Sequence, residues 1–135
     1  MAEEFTPKNI IVTGGCGFIG SNFVHYVVEN HPQTHITVLD ALTYAGNIEN
    51  LAALPKDPVE VVHGNIFDAE LLHKLLPGLH AIVHHLSLTH NYHSTATPEP
   101  LPRHNVERTY HILEAARQSE YPYQHLSSDP VYAHL

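Results

Sequence analysis

Asn9-Ile10-Ile11-Val12-Thr13-Gly14-Gly15-Cys16-Gly17-Phe18-Ile19-Gly20 decides how the rest of this chain is read. Its first part is a short apolar run rich in β-branched residues, the composition of a strand buried on both faces. Its second part is a glycine segment, and from Ser21 to Asn30 the residues Phe23, Val24, Val27 and Val28 recur at helical spacing until His31-Pro32 ends the helix. A strand that runs through glycines into a helix has a physical use. One glycine permits the tight turn, another lets backbone approach a ligand with no Cβ in the way, and Gly20 lets helix and strand pack closely. Phosphate groups can then rest on unpaired N–H groups at the positive end of the helix.

Outward from this segment the chain alternates. His35–Asp40 reads as a second strand, Asn47–Leu54 as a short helix, Val59–His63 as a third strand, and Asp68–Leu76 as a helix with Asp68 as its N-cap and Pro77-Gly78 as its stop. Ala81–His85 is a fourth strand. The stretch Ser87–His104, with Pro98, Pro100 and Pro102, reads as a long mobile connection. Val106–Ser119 follows as a helix with Tyr110, Leu113 and Ala116 on one face, and Tyr123–Ser127 is the fifth strand. Strands that alternate with helices pair in parallel, and right-handed crossovers favour the order 3-2-1-4-5. The expectation is an α/β fold: a three-layer Rossmann-type sandwich with a five-stranded parallel sheet, forming one domain over residues 1–135. Its strand order reverses between the first and fourth strands, so a ligand crevice opens at their C-terminal ends, where the glycine segment lies.

Asp40 closes the second strand, twenty residues after Gly20. A carboxylate there accepts hydrogen bonds from both hydroxyls of an adenosine ribose and repels a 2′-phosphate, so the expected cofactor is NAD rather than NADP. The competing reading makes Asp40 a helix cap or loop carboxylate. Cys16 is read as filling a small slot rather than as a reactive thiol.

Composition narrows the partners. The 135 residues carry a net charge of −8 and are 43% hydrophobic and 15% charged. An acidic surface repels phosphodiester backbones and anionic lipid, which excludes nucleic acid as the expected partner. No apolar run approaches the ~20 residues that span a bilayer. The N-terminus lacks the pattern of a secretory signal, and Cys16 is the only cysteine, so a reducing cytoplasm is expected. Fourteen histidines outnumber the six lysines and arginines together. The net charge therefore swings strongly as pH falls through the imidazole range.

The run Asn9–Val24 resembles the start of an extended short-chain dehydrogenase/reductase. Val38-Leu39-Asp40 followed by Leu42-Thr43-Tyr44-Ala45-Gly46-Asn47 is similar to the dTDP-glucose 4,6-dehydratase family, and so are Ile82-Val83-His84, Thr109-Tyr110, Leu113–Arg117 and Val131-Tyr132. The resemblance covers nearly the whole chain, as an N-terminal NAD-binding part. It implies a lyase that binds NAD, oxidises a nucleotide sugar at C4, eliminates water across C5 and C6, and returns the hydride to C6. It assigns Gly14, Gly17, Phe18, Ile19, Gly20 and Asp40 to the dinucleotide, and Thr43, Tyr44 and Asn47 to the loop at the adenosine end.

The departures bear on activity. Where that family has an Asp after the third strand for the adenine amino group, Gly64-Asn65-Ile66 offers an amide. Its Ala-Ala-Glu-Ser-His segment is replaced by Leu86-Ser87-Leu88-Thr89-His90, and its Ser-Thr-Asp-Glu by Ser127-Ser128-Asp129-Pro130. Ser128 and Asp129 match the family, Asp129 being the acid that protonates the departing hydroxyl. Proline stands where a glutamate removes the C5 proton, and it has no titratable group. The Tyr-x-x-x-Lys pair and the substrate domain are expected downstream of Leu135, and Tyr132 is read as a packing residue.

His84, His85, His90 and His93 form the densest histidine cluster, but neighbours on a strand face opposite ways, and no structural metal is expected. Glu107 and His111 lie one helical turn apart, a pairing that a solvated face explains equally well. Ser127, His125 and Asp129 do not make a hydrolase, having no nucleophile elbow. The fifth strand is expected at a sheet edge where a second copy can pair to give a homodimer. Three functions stand side by side: an NAD-binding module, truncated or engineered and catalytically incompetent alone; a dehydratase fragment active only with its missing residues; and an engineered, histidine-rich scaffold without ligand.

Overall fold

The computed structural model describes residues 4–43, 45–85 and 100–127. Strands β1 (Asn9–Thr13), β2 (His35–Asp40), β3 (Val59–His63), β4 (Ala81–His84) and β5 (Tyr123–His125) form one parallel sheet in the order β3-β2-β1-β4-β5. The α/β architecture and strand order are those read from the sequence. Helices α1 (Phe18–Asn30), α2 (Ala69–Leu75) and α3 (Pro100–Ser119) connect the strands, with a 3₁₀ turn at Ile48–Leu51 in place of the expected helix over 47–54.

Alternation along the strands builds two cores. Ile10, Val12, Ile36, Val38 and Val83 pack with Val24 and Val27 of α1 on one side of the sheet. Ile11, Leu39 and Ile82 pack on the other side with Leu72, Leu76, Ile112 and Ala116. Each such side chain contributes roughly 1.5–3 kcal/mol by leaving water. The side chain of Asp68 accepts from the amide of Leu71 at 3.0 Å, so the expected cap on α2 is present.

Several boundaries and one helix face differ from the reading. Helix α1 starts at Phe18 rather than Ser21, because the glycine bend delivers the chain directly into helical geometry. Helix α3 starts at Pro100, inside the stretch read as a connection; Pro100 and Pro102 sit in its first turn, where a proline removes no intrahelical bond. Of the face read on α3 from Tyr110, Leu113 and Ala116, only Ala116 is buried. Tyr110 and Leu113 are 63% and 44% exposed, whereas Arg108, Ile112 and Ala116, spaced by four, turn to the sheet. Strands β4 and β5 end at His84 and His125, one and two residues earlier than expected. Among the described residues no helix is long and apolar enough to cross a membrane.

Candidate functional site

The C-terminal ends of β1 and β2 and the start of α1 converge at the glycine segment. Gly14 takes φ of 71°, a conformation that glycine adopts without steric cost, and its carbonyl accepts from the amide of Gly17 at 3.2 Å. Gly20 crosses this turn so closely that a Cβ there would lie 2.2 Å from the Gly14 oxygen. Gly14, Gly17 and Gly20 are thus brought together as a tight, open bend.

Gly17 is the N-cap of α1 in extended geometry, and neither a side-chain cap nor an acidic residue in the first turn meets the helix end. The first N–H groups of a helix have no intrahelical acceptor. Here they face outward beside Phe18, which is 83% exposed, and Ile19, which is also exposed.

Asp40 is drawn into the same corner. Its Oδ2 accepts from the amide of Cys16 at 2.9 Å and its Oδ1 from the amide of Leu42 at 2.8 Å. A carboxylate oxygen has two acceptor positions, so each retains one for a hydroxyl. Gly46 folds over this carboxylate, and a Cβ there would come within 2.8 Å of Oδ1. Asp40 therefore organises its loop, as the loop-carboxylate reading expects, and its buried carboxylate lies beside the bend.

The loop after β2 is tied to the glycine bend. The amide of Asn47 donates to the Cys16 carbonyl at 3.0 Å, and the Asn50 side chain donates to the same oxygen at 2.8 Å. The Asn47 side chain caps the 3₁₀ turn by accepting from Glu49 at 3.0 Å, and Thr43 contributes its carbonyl to the Gly46 amide at 2.9 Å. Leu42 adopts φ of 51° to make this fold-back. At the next strand the Gly64 amide donates to the Asp40 carbonyl at 3.0 Å. Asn65 is exposed, with its oxygen engaged by the Phe67 amide at 3.1 Å, which leaves its NH₂ group directed to other partners. Ile66 is buried, and its side chain belongs to the core. Sequence reading missed Leu42 and Gly46, although the Ala-Gly pair before Asn47 is a turn signal.

Cys16 is fully buried, and burial together with the Asp40 charge pushes its thiol up to about 11. It fills space, as expected. At the ends of β4 and β5, His84 is buried with Nδ1 2.5 Å from Thr13 Oγ1, and its ring stacks on His125 at 5.4 Å. Burial, then the neighbouring His125, His85 and Arg108, lower its pKa to about 4. His85 turns to the opposite face, 5.1 Å from Phe23, and burial lowers its pKa as well. Among the described residues no group of three His, Cys, Asp or Glu side chains is placed to hold a metal ion. Tyr44, Leu86–His90, His93, Ser128, Asp129, Pro130 and Tyr132 lie outside the described residues.

Residues 10–135 match the NAD dependent epimerase/dehydratase family. The dTDP-glucose 4,6-dehydratase of Mycobacterium tuberculosis (strain ATCC 25618 / H37Rv) is 46% identical over 126 residues, covering 93% of this chain and 38% of the relative. The crystal structure of DesIV, a dTDP-glucose 4,6-dehydratase from Streptomyces venezuelae with NAD and TYD bound, is similar with a TM-score of 0.87 at 40% identity, covering 94% of this chain and 41% of the other. The dTDP-glucose 4,6-dehydratase of Bacillus anthracis in complex with NAD gives a TM-score of 0.80 at 34% identity, over 94% and 39%. The chain thus spans about two fifths of the length of the relatives it matches.

Proposed function

Since the chain belongs to the NAD-dependent epimerase/dehydratase family, we propose that it binds NAD, with the diphosphate on backbone amides between Gly14 and Gly20 and the adenosine ribose on Asp40. The observation that carries this reading is the uncapped, glycine-lined start of α1 beside a buried carboxylate whose oxygens each retain an acceptor position. NAD, when bound, supplies a hydride acceptor. The chain's own residues supply the seat. Amides at the helix start meet the diphosphate charge, and Asp40 accepts from ribose hydroxyls while disfavouring a 2′-phosphate. The NH₂ group of Asn65 and the amide of Ile66, at the end of β3, are assigned to the adenine edge. Similarity to structures whose descriptions include NAD supports the same choice of cofactor.

The 135-residue chain by itself does not dehydrate a nucleotide sugar in this reading. Pro130 offers no base at the position where the resembling family uses a glutamate, and no Tyr-x-x-x-Lys pair occurs in the sequence. Calorimetric titration tests the binding half: saturable heat with NAD and a weaker response to NADP are expected, and no heat at millimolar cofactor refutes it. Incubation with dTDP-glucose tests the other half, because appearance of a 4-keto-6-deoxy sugar refutes incompetence. A second reading, a dehydratase part that works with further residues, is favoured by the 38% coverage of its relative. It expects activity only when those residues are restored together with glutamate at position 130.

A further inference from the structure

A polar pair lies directly beneath the glycine bend. On the face of the sheet that packs against α2 and α3, β1 and β4 present Ile11 and Ile82, both buried and apolar. One layer higher the same face presents Thr13 and His84, 0% and 1% exposed, joined by the hydrogen bond between Oγ1 and Nδ1. The other ring nitrogen of His84, Nε2, is buried without a partner among the described residues. Burying a hydroxyl and an imidazole carries a desolvation cost that a valine with a leucine, continuing the apolar layers, would not.

What the pair does follows from what comes next in the chain. Of the four residues after Thr13, three are glycines, which impose little conformation of their own. The bend must therefore be set by its anchors. In its middle the anchor is Cys16, held by Asp40, Asn47 and Asn50, and at the far end it is the contact of Gly20 with Gly14. At the near end it is Thr13, whose carbonyl accepts from the His85 amide at 3.0 Å while the Gly14 amide donates to the Leu39 carbonyl at 3.0 Å. These backbone bonds place the strand end, and the side-chain bond to His84 restrains Thr13 about its own axis. We infer that Thr13 and His84 are positioning residues for the dinucleotide seat, their hydrogen bond fixing the direction in which Gly14 to Gly17 leave the sheet.

The groups that face the imidazole are His125 and Tyr123 on β5 and Arg108 on α3, with His85, next in the chain, turned to the other side of the sheet. They favour the neutral ring, so the bond keeps one form through neutral pH. The ligand in this inference rests on the NAD reading above, whereas the geometry of the bend does not.

The test compares T13V with T13S in the ¹⁵N-labelled chain, reading the amide shifts of Gly14, Gly15 and Gly17 and the affinity for NAD. T13S restores the hydroxyl and keeps both close to wild type. T13V moves the glycine amides and weakens NAD roughly tenfold while amides in β2 and β3 stay in place. Unmoved glycine amides in T13V overturn the inference, and so does a T13S variant as defective as T13V, since the hydroxyl is then not the agent. If T13V fails to fold, H84L is read in the same way, with moved glycine amides in a folded chain supporting the inference and unmoved ones overturning it. Wild type without saturable NAD binding sinks the cofactor reading alone, and the glycine shifts still decide this one.

Discussion

At the β1–β2 corner of the sheet, both oxygens of Asp40 are met by backbone amides and the loop after β2 is tied to the glycine bend by two bonds to the Cys16 carbonyl. At the β4–β5 corner, three imidazole nitrogens, His84 Nε2 and both of His85, are buried with no partner among the described residues. The difference teaches where each corner gets its order. A corner made of glycine and peptide groups is satisfied by its own short segments. The imidazole corner has no such pairing among the described residues, and in sequence it adjoins Leu86–His90 and Ser128–Pro130, where the sequence reading expects departures from the family it resembles.

The comparison breaks most sharply at Gly20. In G20V the new side chain meets backbone, which cannot swing away as a flexible side chain can. The loss is expected at about 4 kcal/mol, above the ~1–3 kcal/mol of ordinary overpacking, and NAD binding goes with it. Urea denaturation measures the first and calorimetry the second; a stable G20V that binds NAD would show the bend to be loosely built.

Acid probes the opposite corner. The folded pKa of His84 is about 4 against an ordinary 6.5, so between those values the unfolded chain binds a proton that the folded chain does not. The stabilising effect of keeping this ring neutral is whole above the unfolded value and fades as pH falls towards the folded one, by roughly 3 kcal/mol in all. His85 acts in the same direction. Urea midpoints that stay level from about pH 7 to pH 4.5 would contradict this.

A smaller effect sharpens the first corner. In D40N the neutral amide retains one acceptor atom for the two amides of Cys16 and Leu42 and loses the charge that disfavours a 2′-phosphate. NAD affinity is expected to fall about tenfold, ~1.4 kcal/mol, with NADP losing less. Equal losses for both cofactors would remove Asp40 from the ribose. The smallest effect is chemical. The buried Cys16 thiol, pushed up to about 11, stays unmodified by iodoacetamide in the native chain and reacts once urea unfolds it.

Legibility in the sequence follows the same division. β1, β2 and β3 run between the residues expected, because short β-branched runs bounded by turn residues carry their own signal. Asp68 as a cap and the glycine bend were legible for the same local reason. Helix α3 was not: its start falls among prolines that read as breakers, and its inward face carries Arg108, which breaks the apolar period that a helix reading relies on. The polar layer of Thr13 and His84 was likewise hidden, since the two residues lie 71 positions apart and only strand pairing brings them together.

That separation also orders assembly. The link between Cys16 and Asp40 closes a stretch of 24 residues, and the one between Thr13 and His84 closes 71. Ring closure loses more chain entropy the longer the segment it closes. During synthesis or refolding, the carboxylate corner is therefore the first of the two to become geometrically accessible, before β4 has arrived to complete the central strand's second edge.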